Sequence, residues 1–271
     1  MNDDYLIHDR YDRLTKSERK VADFVLPQGN KIIYATMTEI KAATGVGDAT
    51  IIRFCQKLGF NGFSDFKIAI AKEDYTQERV ARPTDYYDDI AGHITQALDA
   101  TAQLINPAKI DQTVTLMQQA KHIYLFGVGS SGEVATNFAS ILLRVGVQAT
   151  AVTDAHFQAQ VASLLTESDL VFGFSLSGRT KDTFDSLNVA KHNGATIIAI
   201  TNYLNTPIGK QGDLVLQTAM QEFFNGGSVA GRVSQLYICD VITRDYENKN
   251  NVNAVALRER VLRAIIDKSI D

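Results

Sequence analysis

The 271-residue chain has few of the features that would send it to a membrane or an oxidising compartment. No apolar run approaches the ~18 residues of a bilayer-spanning helix. No N-terminal stretch combines a basic flank, an apolar run and a small-residue cleavage site, so a cytoplasmic location is expected. Only two cysteines occur, Cys55 and Cys239. Their separation fits no metal-ligand spacing, and they read as reduced, packed thiols; neither a metal centre nor a cofactor is expected. Prolines number four, and no internal repeat or low-complexity tract breaks the chain. What is present is 45% hydrophobic and 21% charged residues, the composition of an ordinary globular protein. The length suits one large domain or two modest ones.

A net charge of −4 argues at first against a nucleic-acid partner, but the total hides an asymmetry. Residues 10–72 hold eleven Lys and Arg against six Asp and Glu, whereas from Thr76 to the end sixteen face twenty. A basic head on an acidic body fits a DNA reader joined to a sensor, although such an imbalance also arises by chance.

The hydrophobic pattern changes character along the chain. Up to about residue 75 it predicts short helices between polar turns. The first is marked by Thr15 and Glu18, a capping-box pair, and ends before Pro27. Residues 76–89 are polar, contain Pro83 and lack apolar periodicity, which predicts a linker and hinge. Two helical patterns follow between Ile94 and Gln119. Strand-like runs at 123–128, 149–153, 170–175, 196–201 and 213–216 then alternate with helical segments at 133–145, 156–165, 180–192 and 229–248. A last amphipathic helix is predicted over 254–270. This alternation predicts an α/β domain with a parallel sheet covered on both faces. The expected division is an all-α domain at 1–75, a linker at 76–92 and an α/β domain at 93–271.

The stretch from Met37 to Phe60, MTEIKAATGVGDATIIRFCQKLGF, reads as two short helices around a tight turn, a helix-turn-helix arrangement. Thr38 is expected to cap the first helix and Gly45 to supply the turn. At ~100° per residue, Ile51, Phe54, Cys55 and Leu58 of the second helix share a core face. The opposite side can enter a major groove, with Asp48, Ala49, Ile52 and Arg53 as candidate base readers. Thr50, Gln56 and Lys57 are placed for phosphates. A plain three-helix core without a nucleic-acid role has the same spacing. The strings LTKSERKVADFVL and ATIIRFCQKLGFNGFSDFK, within residues 14–71, resemble the N-terminal domain of RpiR-type transcription regulators, which implies operator DNA as a partner. Two positions depart from that pattern. Gly47 stands where a serine usually caps the recognition helix, and Lys41 where a small alanine usually packs.

Two loops carry the second motif. The strand ending at Phe126 runs into GVGSSG, Gly127 to Gly132, with Asp154 about twenty residues later. This is the spacing of a dinucleotide fingerprint, so a nicotinamide-dependent enzyme is one reading. The strand ending near Phe174 runs into SLSGRTKDT. There the hydroxyls of Ser175, Ser177 and Thr180, with the backbone at Gly178, open a helix in a manner suited to one phosphate group. Each hydroxyl could equally serve as a helix cap. Together GVGSSG and SLSGRT, within residues 94–248, resemble the sugar isomerase (SIS) domain. The resemblance implies a five-stranded parallel sheet flanked by helices and phosphate held by Ser175, Ser177 and Thr180. It also implies that Gly129, Ser130 and Ser131 face the sugar phosphate.

Asp154, His156 and Glu222 are candidates for the pocket wall. Glu222 lies where sugar-isomerising relatives carry a catalytic carboxylate, which keeps an isomerase with a helical extension as an alternative. Gly231-Arg232 replaces a common Ser-Arg pair. The reading that uses both halves is a non-enzymatic, dimeric or tetrameric regulator of sugar metabolism genes whose operator affinity responds to a phosphorylated sugar.

Overall fold

A computed structural model describes residues 3–81, 86–219, 229–250 and 253–266. The chain forms two compact units that divide between Asp89 and Ile90.

The first unit is helical. It contains α1 (Asp3–Arg10), α2 (Lys16–Val25), α3 (Met37–Thr44), α4 (Asp48–Lys57) and α5 (Phe63–Ala81), with 3-10 turns at Tyr11–Arg13 and Leu26–Tyr34. Val21, Ala22 and Val25 of α2, Ile40 of α3 and Ile51, Phe54 and Cys55 of α4 bury together with Phe66 and Ile70 of α5. Phe54 meets Phe66 edge-on, ring centroids 6.0 Å apart. The predicted capping box opens α2: the Thr15 hydroxyl accepts from the Glu18 amide and the Glu18 carboxylate from the Thr15 amide.

Thr38 does not cap α3. Thr36 does, through a second capping box in which its amide donates to Glu39 at 2.7 Å. The Thr-x-x-Glu spacing belongs to residues 36 and 39, so Thr38 falls inside the first turn. Gly45 takes the left-handed turn conformation at φ 70°, which a side chain adopts only with strain.

The segment 76–92, expected to be a linker, is helical for most of its length. α5 continues to Ala81 and α6 (Tyr86–Gln103) starts soon after; residues 82–85 lie outside the described ones. Gln77, Glu78 and Arg79 have good intrinsic helix propensity, so polar sequence sustains the end of α5 without an apolar stripe.

The second unit continues through α7 (Pro107–Gln119) into β1 (His122–Phe126), α8 (Gly129–Leu143), β2 (Thr150–Val152), α9 (Ala155–Ala162), β3 (Asp169–Phe174) and α10 (Lys181–His192). It closes with β4 (Thr196–Thr201), α11 (Pro207–Gln211), β5 (Leu214–Gln217), α12 (Val229–Lys249) and α13 (Ala254–Ile265). The five strands are parallel in the order β2-β1-β3-β4-β5. The predicted end of the last helix, 267–270, lies outside the described residues.

Successive strand residues point to opposite faces, and two cores result. On one face Leu170, Phe172 and Phe174 pack with α7, α8 and α12 through Val114, Phe138 and Ile238. On the other, Val171, Ile197 and Ala199 pack with α9, α10 and α11 through Ala162, Leu187 and Ile208. Neighbouring β1 and β3 therefore send their helices, α8 and α10, to opposite faces. Such a reversal opens a crevice at the carboxyl ends of the two strands.

Candidate DNA interface and anion crevice

In α4 the residues assigned to the core, Ile51, Phe54, Cys55 and Leu58, are all buried. Asp48, Ala49, Ile52, Arg53, Gln56 and Lys57 are exposed, and Thr50 is half-buried. They are not equally available. Lys57 Nζ lies 2.7 Å from the buried Glu18 carboxylate and 3.2 Å from the Arg13 carbonyl, tying α4 to the start of α2. Burial opposes ionisation of Glu18, but hydrogen bonds from Lys57 and Thr15 outweigh it and hold the carboxyl below its usual range. Lys57 thus has a structural duty beside any phosphate contact.

Asp48 is paired too, with Lys41 at 3.1 Å. The unusual lysine of α3 neutralises the acid at the mouth of the recognition helix. Arg53 reaches the Thr50 hydroxyl at 3.4 Å. Gly47 is the N-cap of α4, and no side chain caps this helix.

In the second unit the Gly-rich loop begins one residue after β1, and α8 starts at Gly129 rather than at the expected Glu133. Ser130 and Ser131 therefore lie in the first turn of α8, where amides lack helical acceptors. Gly127 and Gly132 are dictated by contact: a Cβ on Gly127 would meet the Ser131 carbonyl oxygen at 2.8 Å, and one on Gly132 the Gly127 oxygen at 2.9 Å. Val128 is the N-cap of α8, again without a side-chain cap.

Beyond β3 the loop folds on itself. Ser175 Oγ accepts from the Gly178 amide and lies 3.1 Å from Thr180 Oγ1, and the Arg179 amide donates to Ser177 Oγ at 3.2 Å. Ser175 is buried whereas Ser177 is exposed. Thr180 is the N-cap of α10, yet no side chain makes a cap bond there, so its hydroxyl is directed to Ser175 instead. Gly178 has φ 64°, and a Cβ there would overlap Thr206 Oγ1 at 2.1 Å. Thr206 caps α11, and the Ile208 amide donates to the Gly178 carbonyl at 3.1 Å. The turn before α11 thus braces the loop from behind.

Asp154 caps α9 by accepting from the Phe157 amide at 2.8 Å, which engages the carboxylate that a dinucleotide reading assigns to a ribose. His156 is exposed in the first turn of α9. Glu222 lies outside the described residues. Among the described residues no group of three or more His, Cys, Asp and Glu is arranged to hold a metal.

Two supports of the crevice were missed from sequence. Gln158, fully buried, donates to the carbonyls of Gly127 at 3.0 Å and Val152 at 2.7 Å, joining the loop after β1 to the end of β2. Nothing local distinguishes it from a solvated helical glutamine. Thr206 followed by Pro207 is a cap-then-proline signature that could have been read.

Of the nine α-helices whose N-cap geometry is described, six are capped by a side chain: α2, α3, α7, α9, α11 and α13. The three that are not are α4, α8 and α10. The bare helix starts coincide with α4, the candidate recognition helix, and with the two helices that open the crevice.

Residues 1–77 match the helix-turn-helix domain of the rpiR family and residues 116–243 the SIS domain. A Haemophilus influenzae protein named as an HTH-type transcriptional regulator is 33% identical over 273 residues, covering 96% of this chain and 95% of its own. The HTH-type transcriptional regulator HexR of Pseudomonas aeruginosa is 27% identical, covering 96% and 94%. The structure of the Vibrio vulnificus NanR protein complexed with ManNAc-6P superposes with a TM-score of 0.81 at 27% identity, over 99% of this chain and 100% of that one. With its helix-turn-helix head and its SIS body, the chain belongs to the RpiR family of transcriptional regulators.

Proposed function

We propose that the protein binds operator DNA through α4 and a phosphorylated sugar through the crevice between β1 and β3, and that the sugar phosphate alters operator affinity. The coincidence of the bare helix starts carries this reading. An uncapped helix leaves amide donors unpaired and its positive dipole end open, and both are met by an anion. Phosphate oxygens of DNA and of a sugar phosphate supply it. The NanR complex with ManNAc-6P, a full-length structural relative, supports a phosphosugar as the effector class.

The assigned crevice groups are hydroxyls and amides. They bind phosphate but do not shuttle a proton at a sugar carbon, which needs a positioned acid and base. Sensing without catalysis is therefore the preferred reading. On DNA, Ala49, Ile52, Arg53 and Gln56 face the groove. Asp48 is screened by Lys41, and Thr50 and Lys57 lie at the flank. A dimer or tetramer would present two such helices to paired half-sites.

The test uses operator DNA from the region upstream of the protein's own gene. Arg53→Ala should lose operator binding by fluorescence anisotropy while keeping sugar-phosphate affinity by calorimetry. Ser177→Ala should do the reverse. Concurrent loss of both activities in each variant, with both still folded, would refute the division of labour.

A further inference from the structure

Buried polar atoms are nearly always hydrogen-bonded, so an amide that is not marks a place built for something else. Gln235 of α12 is fully buried, and neither its Nε2 nor its Oε1 has a partner among the described residues. Thr218, also fully buried, has an unpartnered hydroxyl.

Thr218 lies at the carboxyl end of the sheet, and the neighbours of both residues meet one turn of α6. Thr218 follows β5, and its amide donates to the Thr201 carbonyl at the end of β4, 3.0 Å away. The next amide, of Ala219, donates to Thr101 Oγ1 at 3.0 Å, and that hydroxyl donates to the Ala97 carbonyl at 2.7 Å. Ser234, beside Gln235 in sequence, donates to the same Ala97 carbonyl at 3.4 Å. One carbonyl on α6 thus gathers the exit of β5 and the buried turn of α12.

The direction of α12 gives the depth. Arg232 lies 2.7 Å from Glu133 in the first turns of α8, while Ile238, Cys239 and Ile242 join Phe138 and Leu142 in the core. α12 therefore runs alongside α8 in the same sense, and Gln235 lies about one turn short of Ile238 towards the bare start of α8.

We infer that Gln235, with Thr218, is a specificity-determining pair that reads the uncharged end of the effector, through a hydroxyl or acylamino group of the sugar. The inference rests on the sugar-phosphate reading above and extends it. Phosphate held at the starts of α8 and α10 gives affinity without identity, because every sugar phosphate carries the same group. A side-chain amide offers two donors and one acceptor. It is left unpaired again by a sugar lacking the matching group, which is the physical basis of strong discrimination.

The experiment compares the wild-type protein with Gln235→Leu by calorimetry, using inorganic phosphate, glucose 6-phosphate, mannose 6-phosphate and N-acetylmannosamine 6-phosphate, with thermal unfolding alongside. Gln235→Leu should keep its affinity for inorganic phosphate and lose about ten-fold for the best sugar phosphate, flattening the ranking of the panel. Its Tm should match or exceed the wild-type value, because removing an unpaired buried amide releases an unfavourable group. An unchanged sugar ranking, as expected if the amide holds only a trapped water, overturns the inference. So does a fall in Tm or a failure to fold, which would reveal a structural partner. Failure of the underlying reading looks different: the wild-type protein itself would bind no member of the panel.

Discussion

Glu18 shows how one side chain can serve the fold and the candidate interface together. It closes the capping box of α2 and receives Lys57 from α4, so the surface offered to DNA is anchored by a carboxylate that is itself buried. Its folded-state pKa is depressed. The resulting stability is present above the unfolded value near ~4.3 and is lost as pH falls through the folded value. Glu18→Gln should destabilise the helical unit by about 2 kcal/mol at pH 7, the range of a charge-assisted hydrogen bond. In urea denaturation followed by circular dichroism the gap between variant and wild type should close as pH is lowered through 4 towards 3. A gap that stays constant with pH would show that the pair carries no charge-dependent stability. Cys55 poses the opposite case. Burial pushes its thiol up to about 12, so at pH 8 it should resist a thiol reagent in the native protein and react only on unfolding; rapid labelling of the folded chain would contradict the packing assigned to it.

At the scale of elements, the difference between capped and bare helices explains what sequence could and could not disclose. The core face of α4, the five strands and the glycine loops were legible because each follows from a local rule: periodicity, alternation, or a turn that only glycine allows. The bare cap of α4 was legible as well, as Gly47. That Thr180 forgoes the cap bond of α10 was not, because its hydroxyl could equally have capped, and only the fold shows it turned to Ser175. Gln158, Thr218 and Gln235 were invisible for a different reason. Their meaning depends on which distant backbone they meet, or fail to meet, across the sheet edge. The tie from Lys57 to Glu18 was hidden in the same way, because the two lie 39 residues apart in sequence. Restoring the missing cap gives a direct test. Gly47→Ser should stabilise the helical unit by about 0.5 kcal/mol, since Ser exceeds Gly at this position only modestly, detectable as a raised urea midpoint at unchanged m. If the bare start of α4 is an anion seat, the same change should weaken operator binding at low salt. Tighter binding would instead mean that a firmer helix start is what DNA requires.

On the scale of the whole molecule, the proposed ligands of the basic head and the acidic body share a chemical group but not a source of affinity. Binding to DNA neutralises phosphates and releases counterions, so log affinity should fall with log salt by about 0.9 for each phosphate contacted. In the proposed crevice one charge would meet two helix starts, so the salt dependence of sugar-phosphate binding should be far smaller. The proposed effector role requires the two events to be linked. If a saturating sugar phosphate weakens operator affinity by some factor, saturating operator must weaken sugar-phosphate affinity by the same factor, because both describe one coupling free energy. Titrating N-acetylmannosamine 6-phosphate into the free protein and into the protein–operator complex, and operator into the protein with and without that ligand, measures the two factors independently. Equal factors different from one establish a single two-state coupling between head and body. Both factors equal to one would mean that the crevice, though occupied, has no voice in DNA binding, and the effector role would fall while each binding site stood.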